Sequence, residues 1–251
     1  MRGLSGLARE LGREERGLAI LGEGNVGAAA SGGEIWVKAS GTRMGRARPG
    51  DFLPVDGRKV LAYLDRRGAG REEDAAVMAA LRACVTRGRV GQPSTETFLH
   101  ALCLLEGGAR WVGHTHPVGL MGLLCSRAGA RPFRGSVFPD EIVYCGAVPA
   151  VVPYVDPGVK LAHALRAELR RYRRVHGAPP RLVLLVNHGI VALGATADEV
   201  LNVTLMAEKW ARVLLGAFAA GGPRFLRGAQ ARHIDRWPAE HYRRRLLLTR
   251  R

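Results

Sequence analysis

In the stretch Trp111-Val-Gly-His-Thr-His-Pro117 an apolar, β-like run ends in two histidines one residue apart and a proline. A strand repeats its side chains every two residues, so His114 and His116 project from one face, and Pro117 suits the first turn of a following helix. Two aligned neutral imidazoles make half of a divalent metal site, with Zn²⁺ the leading candidate because it takes histidine nitrogen readily. The chain offers a third ring, His188, in Val186-Asn-His-Gly-Ile190, again just after a strand-like run, Leu182-Val-Leu-Leu-Val186. Three histidines leave one metal position open, as in a catalytic zinc site rather than a structural one, which closes its shell with four protein ligands. Pairs at this spacing also arise where imidazoles only cap turns or bond backbone, so the pair alone leaves both readings open. His100, His163, His176, His233 and His241 lie in helix-like or tail segments and are read as surface or packing residues.

A chain of 251 residues, 47% of them hydrophobic, is long enough to bury a substantial core in one large α/β domain. No run approaches the ~20 apolar residues that span a bilayer. The N-terminus acquires charge too early for a secretory segment, so the expectation is a cytoplasmic protein without a membrane partner. Cys84, Cys103, Cys125 and Cys145 are scattered with no C-x-x-C, which excludes a zinc knuckle or a thioredoxin-like motif and predicts reduced, mostly buried thiols.

The net charge of +16 raises the question of a nucleic-acid partner. Its distribution argues against one. The basic clusters, Arg166 to Arg174 on an amphipathic helix pattern and Arg243 to Arg251 in the tail, lack the interleaved aromatics of a base-stacking surface and read as solvated arginine faces. The same charge would attract a phosphorylated substrate.

Periodicity predicts a helix at the N-terminus from Leu4, Leu7, Ala8 and Leu11, a strand over 34–39, and helices over 72–87 and 95–106. A strand over 148–154 follows, then a helix over 158–176 carrying Ala162, Leu165, Leu169 and Tyr172. The clearest helix starts at Thr196, where Thr196 and Glu199 read as a capping box, and buries Val200, Val203, Ala207, Trp210, Leu214 and Phe218. Gly221-Gly-Pro223 then breaks the pattern, so the chain divides into a metal-binding domain over 1–220 and a basic tail over 221–251 that packs on the body or on a neighbouring subunit. Mixed elements of this kind give a layered α/β or α+β domain whose strand order pattern alone does not supply.

Gly22-Glu-Gly-Asn-Val-Gly27 matches a dinucleotide fingerprint, but Ala28 to Gly33 and then a strand follow it, leaving no room for the helix such a site requires. A strand-to-strand turn fits better. Its backbone N–H groups and the Asn25 amide are equally consistent with an anion nest or an ordinary glycine turn. In Pro93-Ser-Thr-Glu96, Ser94 and Thr95 offer hydroxyls at a helix start, for capping or for a phosphate. Glu96 close to a metal would serve as general acid/base, taking a proton from the carbon next to a polarised carbonyl and returning one later.

Taken in order, Asn25 in its G-N turn, Lys38-Ala-Ser-Gly-Thr42, Pro93-Ser-Thr-Glu96, His114-Thr-His-Pro117 and Asn187-His-Gly189 resemble the class II aldolase/adducin family over roughly residues 5 to 220. Fuculose- and rhamnulose-phosphate aldolases, a ribulose-phosphate 4-epimerase and a methylthioribulose-phosphate dehydratase are among its members. The resemblance implies an α/β layered domain with a central, largely antiparallel β-sheet covered by helices, commonly assembled as a homotetramer. It implies His114, His116 and His188 as zinc ligands, with Mn²⁺, Co²⁺ or Fe²⁺ as other divalent candidates, and Glu96 as the catalytic acid/base. Asn25, Ser40, Gly41, Ser94 and Thr95 match the positions that hold the phosphate of a sugar-phosphate substrate. Gly27 departs from the family, which usually reads G-N-x-S. A tail tyrosine assists some aldolases, and Tyr242 is the candidate counterpart, although no motif aligns it. The leading expectation is a zinc-dependent aldolase that cleaves a phosphorylated ketose to dihydroxyacetone phosphate and an aldehyde. The alternatives are a sugar-phosphate dehydratase or epimerase on the same site, and an adducin-like scaffold, which retention of the three histidines and Glu96 argues against.

Overall fold

The computed structural model describes residues 2–71, 73–87, 91–240 and 242. Among the described residues seven strands form one sheet, in the order β3-β2-β1-β4-β7-β6-β5. They are β1 (Asn25–Ala29), β2 (Glu34–Lys38), β3 (Phe52–Asp56), β4 (Trp111–Thr115), β5 (Ala150–Val152), β6 (Leu182–Leu185) and β7 (Gly189–Gly194). Every pairing is antiparallel except β5 with β6, as the family resemblance implies.

Side-chain alternation divides the apolar residues of each inner strand between two cores. On β6, Val183 and Leu185 join one core and Leu182 and Leu184 the other. The first core is closed by α2 (Gly57–Leu64), α3 (Asp74–Ala83), α4 (Thr97–Ala101) and α7 (Val159–His176), the second by α1 (Arg2–Leu11), α5 (Val118–Leu124), α6 (Pro139–Cys145) and α8 (Ala197–Ala219). A last helix, α9 (Gly228–Arg236), lies against α6, and the segment before it is tied back by Leu226 N–H to the Ser136 carbonyl at 2.7 Å.

The periodic helices stand where the pattern put them. Leu4, Leu7, Ala8 and Leu11 are buried on α1, and Ala162, Leu165, Leu169 and Tyr172 on α7. At the start of α8 the Thr196 side chain accepts the Glu199 N–H at 3.1 Å. The return bond of the capping box goes one residue further out, from Ala195 N–H to the Glu199 carboxylate at 2.7 Å. Phe218, assigned to the apolar face, is 46% exposed near the helix end.

Four expectations change. The helix expected over 72–87 is only Asp74–Ala83, because Val85 bridges to Val55 and so extends the sheet edge. The turn expected at residues 22–27 ends sooner, since Asn25 already begins β1. The helix expected over 95–106 is α4 followed by a π-turn, Leu102–Glu106, closed by Gly107 N–H on the Leu102 carbonyl at 2.8 Å. Arg166 is not on a solvated face: it is buried and grips Glu106 at 2.5 Å and Asp65 at 2.6 Å, tying α7 to the π-turn and the end of α2. The tail cluster from Arg243 onward and His241 lie outside the described residues. Cys84, Cys103 and Cys145 are buried and free, and Cys125 is free but exposed. Among the described residues no helix is long and apolar enough to cross a membrane.

Candidate functional site

Strand register assembles the site. β4 lies between β1 and β7, which places Asn25 opposite His114 on one side and Val191 opposite it on the other. His114 shares its face with Val112, a first-core residue, and so points toward α4. His188 arrives from the turn between β6 and β7, closed by His188 N–H on the Leu185 carbonyl at 3.1 Å. Asn187 takes the left-handed conformation there (φ 56°), which Asn tolerates better than most residues. Gly189 has to be glycine, because a Cβ would sit 2.5 Å from both the His116 ring and the Thr115 carbonyl.

These elements bring Glu96, His114, His116 and His188 together, with one ligand atom from each lying within 4.8 Å of all the others. Glu96 Oε1 is 3.0 Å from His114 Nε2 and 3.1 Å from His188 Nε2, and the Nε2 atoms of His114 and His116 are 3.0 Å apart. Their Nδ1 atoms face outward. His114 Nδ1 meets the Ile190 carbonyl at 2.8 Å and His116 Nδ1 meets the Glu23 carboxylate at 3.1 Å. With the proton on Nδ1 in both rings, both Nε2 lone pairs face one point, an arrangement that needs a cation or a proton to hold it. The donor set thus fits a divalent metal of the zinc type.

Without a metal, a second proton on His114 takes that place and bridges to Glu96. Burial works to raise the Glu96 carboxyl, but positive charge on His114 and hydrogen bonds from His114 and His188 outweigh it and hold Glu96 well below the usual carboxylate range. Burial works to lower His114, while the adjoining Glu96 charge and hydrogen bond raise it overall. His116 is pushed down by burial and by His114.

Of the residues expected at a phosphate, Ser40 and Gly41 stand beside Ser94 and Thr95. Ser40 N–H bonds the Gln92 carbonyl at 2.8 Å, and Ala39 bridges to Pro93. Asn25 faces the glutamate and histidine cluster. Its amide nitrogen donates to Glu96 Oε2 and its oxygen faces His100 Nε2. The glycine turn therefore shows its side chains, Glu23 and Asn25, committed to the histidine and glutamate cluster. Tyr242 is 59% exposed.

Residues 4–215 match the sequence model of the family described as Class II Aldolase and Adducin N-terminal domain. The chain belongs to this family. An uncharacterized oxidoreductase of Bacillus subtilis (strain 168), YuxG, is 25% identical over 173 residues, 68% of this chain but 22% of that much longer protein. YgbL of Klebsiella pneumoniae, described as a putative aldolase/epimerase/decarboxylase, superposes with a TM-score of 0.70 at 21% identity, covering 93% of this chain and 98% of its own. The L-fuculose-1-phosphate aldolase of Thermus thermophilus gives 0.61 at 20% identity, covering 90% of this chain and all of its own, 100%. At these identities the solved structures establish a shared class II aldolase fold.

Three residues of this class II aldolase-fold site were given no role of their own by the sequence pattern. Glu23 looked like part of a glycine turn. Lys38 is 3% exposed, and its Nζ donates to the Thr42 carbonyl at 2.6 Å, fastening the Ser40–Gly41 loop. Burial pulls its pKa down against the attraction of Glu96 and Asp51. His100, expected to be a packing residue, is 1% exposed and touches Asn25; burial, with the nearby positive charge of His114, holds it neutral, with a pKa of about 3. A buried lysine or histidine on an otherwise apolar face is the signal that would have pointed to the last two.

Proposed function

We propose that the protein is a zinc-dependent aldolase that reversibly cleaves a phosphorylated ketose to dihydroxyacetone phosphate and an aldehyde. The observation that carries this reading is the convergence of one ring nitrogen from each of three histidines and one glutamate oxygen within 4.8 Å, in a chain of the class II aldolase family. His114, His116 and His188 would hold the ion, and Mn²⁺, Co²⁺ or Fe²⁺ could replace zinc on the same nitrogen set. Bound there, a divalent ion supplies Lewis acidity to a substrate carbonyl. Glu96 does the proton work. In the condensation direction its ionised carboxylate accepts a proton from the carbon beside the carbonyl, and in cleavage it returns that proton. Ser40, Gly41, Ser94 and Thr95 receive the phosphate, the first two on a loop that Lys38 holds in place.

A metal-polarised carbonyl beside Glu96 would also serve a dehydratase or an epimerase, and YgbL is described as a putative aldolase/epimerase/decarboxylase. Substrate decides between them. Exposed Ile20, Leu21 and Val118 near the His116 strand end suit the subunit contact of a homotetramer, which light scattering would read directly.

The test begins with metal per chain in protein purified without chelator or nickel resin. Near-stoichiometric zinc in the wild type and its loss in His116→Ala is the expected result, followed by zinc-dependent turnover in a screen of ketose 1-phosphates. A wild type that holds no metal and takes up no added zinc overturns the reading, and the adducin-like scaffold then takes its place.

A further inference from the structure

We infer that His100 is a positioning residue for Glu96, acting through Asn25, and that Gly27 is glycine so that the His100 ring can lie where it does. The inference rests on the acid/base role proposed above for Glu96.

His100 lies one helical turn after Glu96, with its N–H on the Glu96 carbonyl at 3.1 Å, so both side chains leave the same face of the α4 segment. From that face three groups form a line. His100 Nε2 bonds Asn25 Oδ1, and Asn25 Nδ2 donates to Glu96 Oε2. Glu96 Oε1 is thereby left to face His114 and His188. An amide has one accepting and one donating end. Because Nδ2 is committed to a carboxylate, Oδ1 must receive, and His100 must carry its proton on Nε2. Asn25 is 4% exposed, so no solvent is there to substitute for His100 if the ring is removed.

The opposite edge of the ring rests on bare backbone. A Cβ at Gly27 would lie 2.8 Å from His100 Nδ1, 3.2 Å from its Cγ and 3.0 Å from the Trp36 carbonyl. His100 Nδ1 is buried with no hydrogen-bond partner, which agrees with a ring protonated on Nε2 alone. Any side chain at position 27 displaces the ring, frees the Asn25 amide and releases Glu96 Oε2.

Two measurements on zinc-loaded protein test this. The first is the imidazole ¹⁵N spectrum, with His100 assigned by its loss in His100→Gln. At neutral pH the expected form is Nε2–H; a ring that carries its proton on Nδ1 alone cannot donate to Asn25 Oδ1 and overturns the inference. The second is exchange of the carbon-bound proton of dihydroxyacetone phosphate with D₂O, which needs no aldehyde. Loss of a partner behind an active-site group costs about 10–100-fold, so His100→Phe and Gly27→Ser should exchange slower by that factor at full zinc content and near-unchanged KM. His100→Gln, whose amide can still donate to Asn25, should recover most of the rate. Wild-type exchange in folded, zinc-replete His100→Phe overturns the inference. A wild type that exchanges nothing while His100 keeps its Nε2–H form overturns the lyase reading instead, and leaves the His100 to Asn25 contact standing.

Discussion

Glu96 and Glu141 are both withdrawn from solvent, with side-chain exposure of 16% and residue exposure of 0%, yet they sit on opposite sides of the sheet and their surroundings drive them opposite ways. Glu96 has two imidazoles on one oxygen and an amide on the other, and it is held ionised. Glu141, in the first turn of α6, has the Val137 N–H at 2.8 Å and further hydrogen bonds from Ser136 and the Phe138 N–H, and burial pushes it up to about 8 against their weaker pull. A third buried glutamate, Glu208 on α8, shows another solution: its oxygens accept the Gly119 and Leu120 N–H groups at 3.0 and 3.1 Å, at the start of α5, and Arg212 closes on it at 2.7 Å. Depth alone therefore does not make a carboxylate reactive. What marks Glu96 is that the groups keeping it charged are themselves arranged to bind something.

The sharpest way to break this comparison is to neutralise each glutamate in turn. Glu96→Gln should cost about 10²–10⁴-fold in kcat, the range of a lost general acid/base, while Glu141→Gln leaves kcat unchanged; equal losses in steady-state kinetics would mean that the distinction is wrong.

Stability against pH should differ next. The folded pKa of Glu141 lies above its unfolded value, so its contribution is fully present below about pH 4.5 and is lost as pH rises through 8. By linkage the whole shift is worth on the order of 4–5 kcal/mol as an upper bound. Thermal melts from pH 6 to 9 should fall more steeply for wild type than for Glu141→Gln. His100 gives the mirror image: its folded pKa of about 3 lies below the unfolded value of 6.5, so the folded state resists protonation and loses stability as pH falls from about 6.5 toward 3. In metal-free protein, His100→Gln should flatten the acid side of the melting profile, and an unchanged acid slope would show that His100 is not held neutral.

The smallest effect concerns Glu208. Replacing it by Ala leaves two N–H groups at the start of α5 without their acceptor, for about 1–3 kcal/mol in urea unfolding, with metal content and activity retained.

Much of the site was legible because its residues come in short local patterns. His114 and His116 share a face through strand periodicity alone, and Ser94 to Glu96 stand together at a helix start. The long helices α1, α7 and α8 were legible for the same reason, since each buries one stripe and solvates the rest. The inner strands β1 and β7 were not. Asn25-Val-Gly-Ala-Ala29 has few β-branched residues, and Gly189 to Leu193 is buried on both faces, so neither shows the apolar-polar alternation that marks a half-exposed strand. Short α6, Pro139–Cys145, has too few turns to show a period.

The amino-acid sequence by itself determined which chemistry the chain carries: three histidines, a glutamate and a hydroxyl cluster, each with its local geometry set by bonds along the backbone. Only the tertiary structure decided which of them meet. His100 is 75 residues from Asn25, and Asn25 is 71 from Glu96. Contacts across such distances depend on how β1 registers against β4 and how α4 settles on the sheet, which long-range packing sets and no local pattern encodes. Gly27 belongs to both levels, a departure plain in the sequence whose physical reason, room for a buried ring, exists only in the folded chain.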